Sequence, residues 1–297
     1  MNSVFHKQFI IIVGAPRSGT TWLSNIINQH PDVVGIGREM KLFSAYIKPL
    51  VDAWDNEKFR LESGQWKQGH PLIWSQQEFD DFITDFICKT YIKFLEIKPT
   101  ATHILDKHPG YSISIDLIMK YLPNVKFIHV IRDGREVVPS MMSANKRIGF
   151  GYGKLNEAAR HWRDSVVLCR GGASKYPDNF FQVRYNELKN EGESVISELF
   201  QFCNLKHDKD LIEQLIVENS YEKNAVSRPD PKFEELRRSG TSVWRHQFST
   251  WDKYLVDLIM GDLLLELGFV ENRDWWYDTP MEKLSILPQK IKHKFFL

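Results

Sequence analysis

Eight residues, Gly14-Ala15-Pro16-Arg17-Ser18-Gly19-Thr20-Thr21, follow a β-branched apolar run and open a stretch with helical periodicity. That is the setting of a loop that cradles a phosphate. Unsatisfied backbone N–H groups at the start of the helix point at the anion, and the helix dipole favours it. Thr20 and Thr21 add hydroxyl donors, and Arg17 adds positive charge. The nucleotide-hydrolase pattern G-x-x-x-x-G-K-S/T is kept in its glycine spacing and at Thr21. Thr20, however, stands where a lysine would reach the β- and γ-phosphates. The loop therefore suits a phosphate better than a triphosphate with magnesium.

A second anion site is encoded farther on. The apolar run 125–131 ends in Arg132-Asp133-Gly134-Arg135, and Ser140 follows eight residues after Arg132. Arginine presents a planar fork of donors to a phosphate, and a serine hydroxyl adds one more. Two candidate bases stand near other strand ends. Glu39 lies beyond the short run 33–34, and His108 follows Lys107 after the run 103–105. Histidine, with an ordinary pKa near 6.5, is the better matched base, whereas glutamate starts near 4.3. Adjacent residues of an extended segment point to opposite sides, so Lys107 and His108 are expected to diverge.

Elements able to position these groups alternate along the chain. Apolar runs at 9–13, 33–34, 103–105, 125–131 and 180–185 read as strands. Helical periodicity occupies 21–30, 113–121, 137–144, 156–169, 194–203 and 254–267. The strongest pattern is 75–95, where Phe79, Phe82, Ile83, Phe86, Ile87, Tyr91 and Phe94 recur every three or four residues, behind a capping box that starts at Ser75. This order predicts an α/β fold: three layers, α/β/α, with a central mostly parallel sheet and a P-loop-like phosphate-binding loop. Such sheets bind ligands beyond the C-terminal ends of their strands. Arg17, Lys107, Arg132 and Tyr185 all fall there.

Bulk properties narrow the class. The 297 residues suit a single domain, 1–297, and a net charge of +1 gives no footprint for a nucleic-acid partner. No run is long enough for a signal peptide or transmembrane segment. The three cysteines, Cys88, Cys169 and Cys203, match neither a zinc cluster nor a redox pair. No metal site is expected, and a reducing, cytoplasmic location fits. Residues 50–74 show no clear periodicity and read as a surface excursion.

The motif PRSGTTW resembles the 5'-phosphosulfate loop of the sulfotransferases, P-K/R-S/T-G-T-T. The resemblance spans about residues 9–268. It implies that Arg17, Ser18, Gly19, Thr20, Thr21 and Trp22 hold the 5' end of 3'-phosphoadenosine-5'-phosphosulfate (PAPS), the donor, whose product is adenosine 3',5'-bisphosphate (PAP). Arg132 and Ser140 match the family's 3'-phosphate motif. Arg238 and Gly240 match its R-K-G segment, where Ser239 replaces the lysine and Arg237 offers compensation. Tyr185, in VRYNEL, resembles a segment placed after a late strand, and Trp162 a helix near the donor, although a core role is the simpler reading of Trp162.

His30-Pro31-Asp32-Val33, followed by Arg38-Glu39 and Phe43, resembles the catalytic glutamate segment of carbohydrate-type and bacterial sulfotransferases. Cytosolic members carry K-T-H-L-P, with the base two residues past the lysine, whereas His108 is one past Lys107. Motif spacing thus selects Glu39 as general base, with His108 as the alternative. Lys107 and Arg17 would stabilise the sulfuryl and leaving groups. The acceptor would be a small molecule, lipid or sugar bearing a hydroxyl. It would be framed by 48–74, 144–154 and a lid at 221–245, with Trp54, Trp66, Trp74, Phe150 and Tyr152 as candidate lining and Lys146 and Arg147 as candidate cations. A homodimer is compatible with all of this. Two rival classes share the phosphate loop: a nucleotide-dependent kinase and a non-catalytic nucleotide-binding module.

Overall fold

The computed structural model of the protein describes residues 4–220, 244–287 and 289. These form two compact units. One takes 4–14, 20–130 and 168–220, and the other takes 15–19, 131–167 and 244–287.

The first unit is built on a five-stranded sheet in the order β2-β3-β1-β4-β5. Its strands are β1 Gln8–Val13, β2 Val33–Val34, β3 His103–Lys107, β4 Lys126–Ile131 and β5 Phe180–Arg184. The pairs β1–β3, β1–β4 and β2–β3 are all parallel. Alternate side chains of a strand face opposite ways, and β1 shows it. Phe9, Ile11 and Val13 enter one apolar layer, with α3 (Gln76–Ile97) and α4 (Ile115–Tyr121). Ile10 and Ile12 enter the other, with α1 (Thr20–Asn28), α8 (Gly192–Phe202) and α9 (Lys209–Glu218). Helices thus cover both faces of a parallel sheet, the three-layer architecture expected from the sequence.

Helix α3 starts where its sequence says it should. The Ser75 side chain accepts from the Glu78 backbone, and the Glu78 carboxylate accepts in return. The stretch expected as an irregular excursion differs. Lys48–Glu62 is a helix, α2, with Pro49 in its first turn, and Gly69 leads into a 3₁₀ turn at His70–Leu72. Only Trp54 of α2 is buried, stacked on Phe79 at 4.3 Å. A helix that sends one residue inward leaves little periodicity to read. Strand β5 stops at Arg184, so Tyr185 is the first residue of α7 (Tyr185–Asn190) rather than the last of a strand.

The second unit packs α5 (Gly134–Ile148), the first part of α6 (Leu155–Lys175) and α11 (Thr250–Glu266) around Trp162. A Cβ on Gly134 would crowd the Trp162 ring and the Met260 thioether, so only glycine lets these helices close there. Helix α10 (Trp244–Gln247) is held by a cation–π contact. The Arg135 guanidinium lies 4.6 Å from the Trp244 ring and 5.0 Å from that of Trp275, and is paired with Asp133. Helix α12 spans Pro280–Ser285. Cys88, Cys169 and Cys203 are buried free thiols. Among the described residues, no helix is long and apolar enough to cross a membrane.

His129 on β4 is buried, and its Nε2 has no hydrogen-bond partner among the described residues. Burial, aided by the nearby Arg170 charge, lowers its pKa to about 4. The folded protein therefore resists a proton that the unfolded chain takes up near pH 6.5. Stability is full above that pH and falls as pH drops toward 4, by roughly 3 kcal/mol. Urea unfolding across this window should show the loss, and His129→Leu should flatten it.

Candidate active site

The phosphate loop leaves β1 at Gly14, whose φ of 138° is open to glycine. A Cβ there would collide with the Val130 carbonyl oxygen on the neighbouring strand. Arg17 takes a left-handed φ of 72°, and Gly19 one of 101°. The Ser18 N–H closes the turn on the Ala15 carbonyl oxygen at 3.2 Å. The Ser18 hydroxyl is buried without a hydrogen-bond partner among the described residues. Helix α1 then starts at Thr20, with no acidic residue in its first turn. The unpartnered Ser18 hydroxyl suits an anion, and so, in the other unit, does the start of α1, whose own first turn holds no acidic residue. Thr20 is buried and Thr21 exposed.

Two clusters grow from this loop, one in each unit. In the first unit, Lys107 ends β3 with its side chain buried. Its Nζ donates to Glu39 Oε1 at 2.9 Å and to Thr21 Oγ1 at 3.3 Å. His108 Nδ1 lies 2.9 Å from Glu39 Oε2. Lys107 and His108 thus converge on one carboxylate, contrary to the divergence expected of neighbours in a strand. The chain leaves the strand at His108 for a 3₁₀ turn over Pro109–Ser114, and that bend brings the imidazole round. Burial alone would raise the Glu39 pKa, but the hydrogen bonds from His108 and Lys107 outweigh it and lower the value to about 2.

Sheet geometry places Glu39. Strand β2 pairs with β3 in the register Val33–His103 and Val34–Ile104, so the chain leaving β2 runs beside the end that carries Lys107. Gly35 allows the close approach, since a Cβ there would press on Asn28 Oδ1 and the Leu105 carbonyl oxygen.

In the second unit, Arg17 Nε donates to Ser140 Oγ at 3.1 Å. Two residues 123 positions apart, taken from separate sequence motifs, thus meet. Arg132 Nε donates to Glu136 Oε2 at 2.8 Å, and the Trp162 indole N–H holds the Arg132 carbonyl at 3.0 Å. Trp162 is fully buried, as its core reading anticipated. Glu136 went unnoticed in the sequence, although its i,i+4 spacing from Arg132 on a helix was available.

Trp22 and Tyr185, both half-buried, meet edge-to-face at 5.9 Å. The Trp22 indole N–H donates to the Asn219 carbonyl at 3.0 Å, and the Asn219 amide donates to Gln29 Oε1 at 2.7 Å. Asn219 carries no motif, and nothing in the sequence marks it. Of the candidate lining, Trp54 belongs to the core, while Trp66, Trp74 and Phe150 are exposed. The Tyr152 hydroxyl bonds His161 Nδ1. Arg237, Arg238, Ser239, Gly240 and most of the 221–245 lid lie outside the described residues. Among the described residues, no group of three or more His, Cys, Asp or Glu side chains could hold a metal ion.

A parallel sheet with helices on both faces, and a glycine-rich turn leading from its central strand into a helix, define an α/β protein. A family model described as the sulfotransferase family matches residues 9–209, and the chain belongs to that family. The chain is 27% identical over 208 residues to protein-tyrosine sulfotransferase 1 of Danio rerio, covering 68% of this chain and 55% of the relative. It is 29% identical over 169 residues to the Homo sapiens protein of the same name, covering 54% and 42% respectively. The chain thus spans about half the length of these relatives. A mouse sulfotransferase structure complexed with PAP aligns with a TM-score of 0.54 and 13% identity, over 89% of this chain and 87% of that one, which shows a shared fold.

The Glu39 contacts can be tested without any ligand. A carboxylate held at about 2 contributes stability that is full above its ordinary pKa of 4.5 and lost as pH falls toward 2. The stability gap between wild type and Glu39→Gln should shrink across that window in urea titrations.

Proposed function

We propose that the protein transfers the sulfuryl group of PAPS to a hydroxyl acceptor. The observation that carries this reading is the position of Lys107. One buried ammonium bonds both a hydroxyl of the phosphate loop and the carboxylate expected to act as base. A kinase would need a lysine at the end of the loop to reach the β- and γ-phosphates, and a magnesium carboxylate, and Thr20 stands where that lysine belongs.

In the proposed reaction, Ser18, Gly19, Thr20, Thr21 and Trp22 bind the 5' end of the donor, and Arg132 and Ser140 bind the 3'-phosphate. Tyr185 flanks the nucleotide beside Trp22, and the segment holding Arg238, Ser239 and Gly240 completes its grip. Lys107 turns from Glu39 to the sulfuryl oxygens. Losing that contact raises the Glu39 pKa and makes it a stronger base. Glu39 takes the proton of the acceptor hydroxyl while the acceptor oxygen bonds to sulfur. The bond from sulfur to the 5'-phosphate oxygen breaks, and Lys107 and Arg17 neutralise the charge left on PAP. His108 keeps the Glu39 carboxylate aligned, and is itself the alternative base.

A carboxylate base takes a proton more readily from a phenol, with a pKa near 10, than from an aliphatic alcohol, a far weaker acid. The named activity of the relatives agrees with this preference. Phenols and tyrosine peptides therefore join small-molecule, lipid and sugar alcohols in the acceptor screen.

Calorimetric titration should show PAP binding more tightly than ATP with magnesium, and the reverse order would end the sulfotransferase reading. Arg132→Ala should weaken PAP binding by about tenfold or more, as the loss of a charge-assisted bond predicts. Glu39→Gln should lower turnover by at least about 100-fold. Turnover that survives in Glu39→Gln but is lost in His108→Ala would move the base to His108.

A further inference from the structure

The contacts of Glu39 depend on where one imidazole lies. His108 continues β3 in an extended conformation, φ −151° and ψ 120°, and Pro109 and Gly110 open the 3₁₀ turn that follows. The His108 carbonyl accepts from the Tyr111 N–H at 3.0 Å, which closes the turn. The imidazole folds back over it. A Cβ on Gly110 would lie 2.6 Å from His108 Nε2, and its next two neighbours, at 3.2 and 3.5 Å, are atoms of the same ring. Gly110 has no positive φ, unlike Gly14 and Gly19. Its backbone alone would therefore accept alanine, and what glycine supplies here is space.

The rest of the imidazole's surroundings are fixed. The Tyr111 ring packs edge-to-face against it at 5.2 Å. Tyr111 is fully buried, and its hydroxyl donates to Asp106 Oδ2 at 2.8 Å. The Tyr91 hydroxyl donates to the same oxygen at 2.8 Å. The Tyr111 ring is thus a wall tied to the strand that carries His108. At the ring's other nitrogen, His108 Nδ1 lies 2.9 Å from Glu39 Oε2. One nitrogen reaches Glu39 while the other stands where the side chain of residue 110 would be.

We propose that Gly110 is a positioning residue for the transfer reaction: by leaving that space open, it lets the His108 imidazole fold over the turn and reach the Glu39 carboxylate. A methyl group there meets only the end of a side chain, which can turn about its own bonds. The clash is relieved when the imidazole swings away, and the fold is spared. What is lost is the bond to Glu39 Oε2, and with it the alignment of the carboxylate. This inference rests on the sulfuryl-transfer reading above for its catalytic consequence, and on geometry alone for the positioning.

The test is a double-mutant cycle of Gly110→Ala and His108→Ala in the full chain, with the Glu39 carboxyl followed by carbon-13 NMR. The charged and titratable groups facing that carboxyl are Lys107 and His108. Burial raises its pKa, and the bonds from His108 and Lys107 outweigh burial. Gly110→Ala should raise the Glu39 titration by at least about one pH unit. In His108→Ala, where the ring is gone, adding Gly110→Ala should move it no further. With an accepted hydroxyl substrate, Gly110→Ala should lower kcat about tenfold or more, with the KM for PAPS and the affinity for PAP within about twofold of wild type. A Glu39 titration unmoved by Gly110→Ala, or moved as far when His108 is absent, overturns the positioning role whatever the activity. If Gly110→Ala does not fold, the double variant decides. Folding restored by His108→Ala supports the clash with the imidazole, and failure of both variants to fold overturns it. A shifted Glu39 with unchanged kcat overturns the catalytic consequence. A wild type that binds no PAP, with Glu39 still shifted by Gly110→Ala, overturns the transfer reading, while the positioning stands.

Discussion

A buried ammonium cannot stay charged without a partner. Lys107 sits at the end of a central strand with its side chain almost fully enclosed, where an uncompensated charge would cost several kcal/mol. Its partner cannot come from the strand itself. The carboxylate arrives from the segment after β2, which is hydrogen-bonded alongside β3 and bends at Gly35 to reach it. The need to pair one lysine thus sets where β2 lies and where Glu39 points. It also sets how the phosphate loop is engaged, because Thr21 takes another of the ammonium's hydrogens.

Much of this was legible in the residues. The turn between β1 and α1 could be read because glycine spacing and the break from strand to helix are local properties. Strand β1 and helix α3 were equally open, one through an unbroken β-branched run and the other through its capping box and apolar stripe. Helix α2 was hidden because a surface helix burying one tryptophan carries almost no pattern. The convergence of Lys107 and His108 was hidden for another reason. Alternation along a strand predicts divergence, and only the turn that begins at Pro109 reverses it. The bond between Arg17 and Ser140 joins residues far apart in the chain, and each could be suspected alone without the meeting being foreseen.

In the proposed reaction, the donor's side leaves more trace in a sequence than the choice of acceptor does, for a physical reason. Phosphates demand backbone N–H groups, hydroxyls and guanidinium groups in fixed local arrangements, which leave motifs. A hydroxyl acceptor demands only a shaped surface beside the base, and many side chains build one equally well. The exposed Trp66, Trp74 and Phe150 show that aromatic residues in the regions considered do not by themselves define a pocket.

The path between β2 and β3 also separates two kinds of freedom. Some seventy residues, among them α2 and α3, leave the sheet after Val34 and return at His103. The contact between the two ends of this excursion is closed over a short distance, through the paired strands and through the bonds of Glu39 to Lys107 and His108. The outer part of the excursion can therefore lengthen, shorten or change its surface in descendants of this chain while Glu39, Lys107 and His108 keep their spacing. Such a fold can vary its periphery rapidly and the cluster at its strand ends hardly at all.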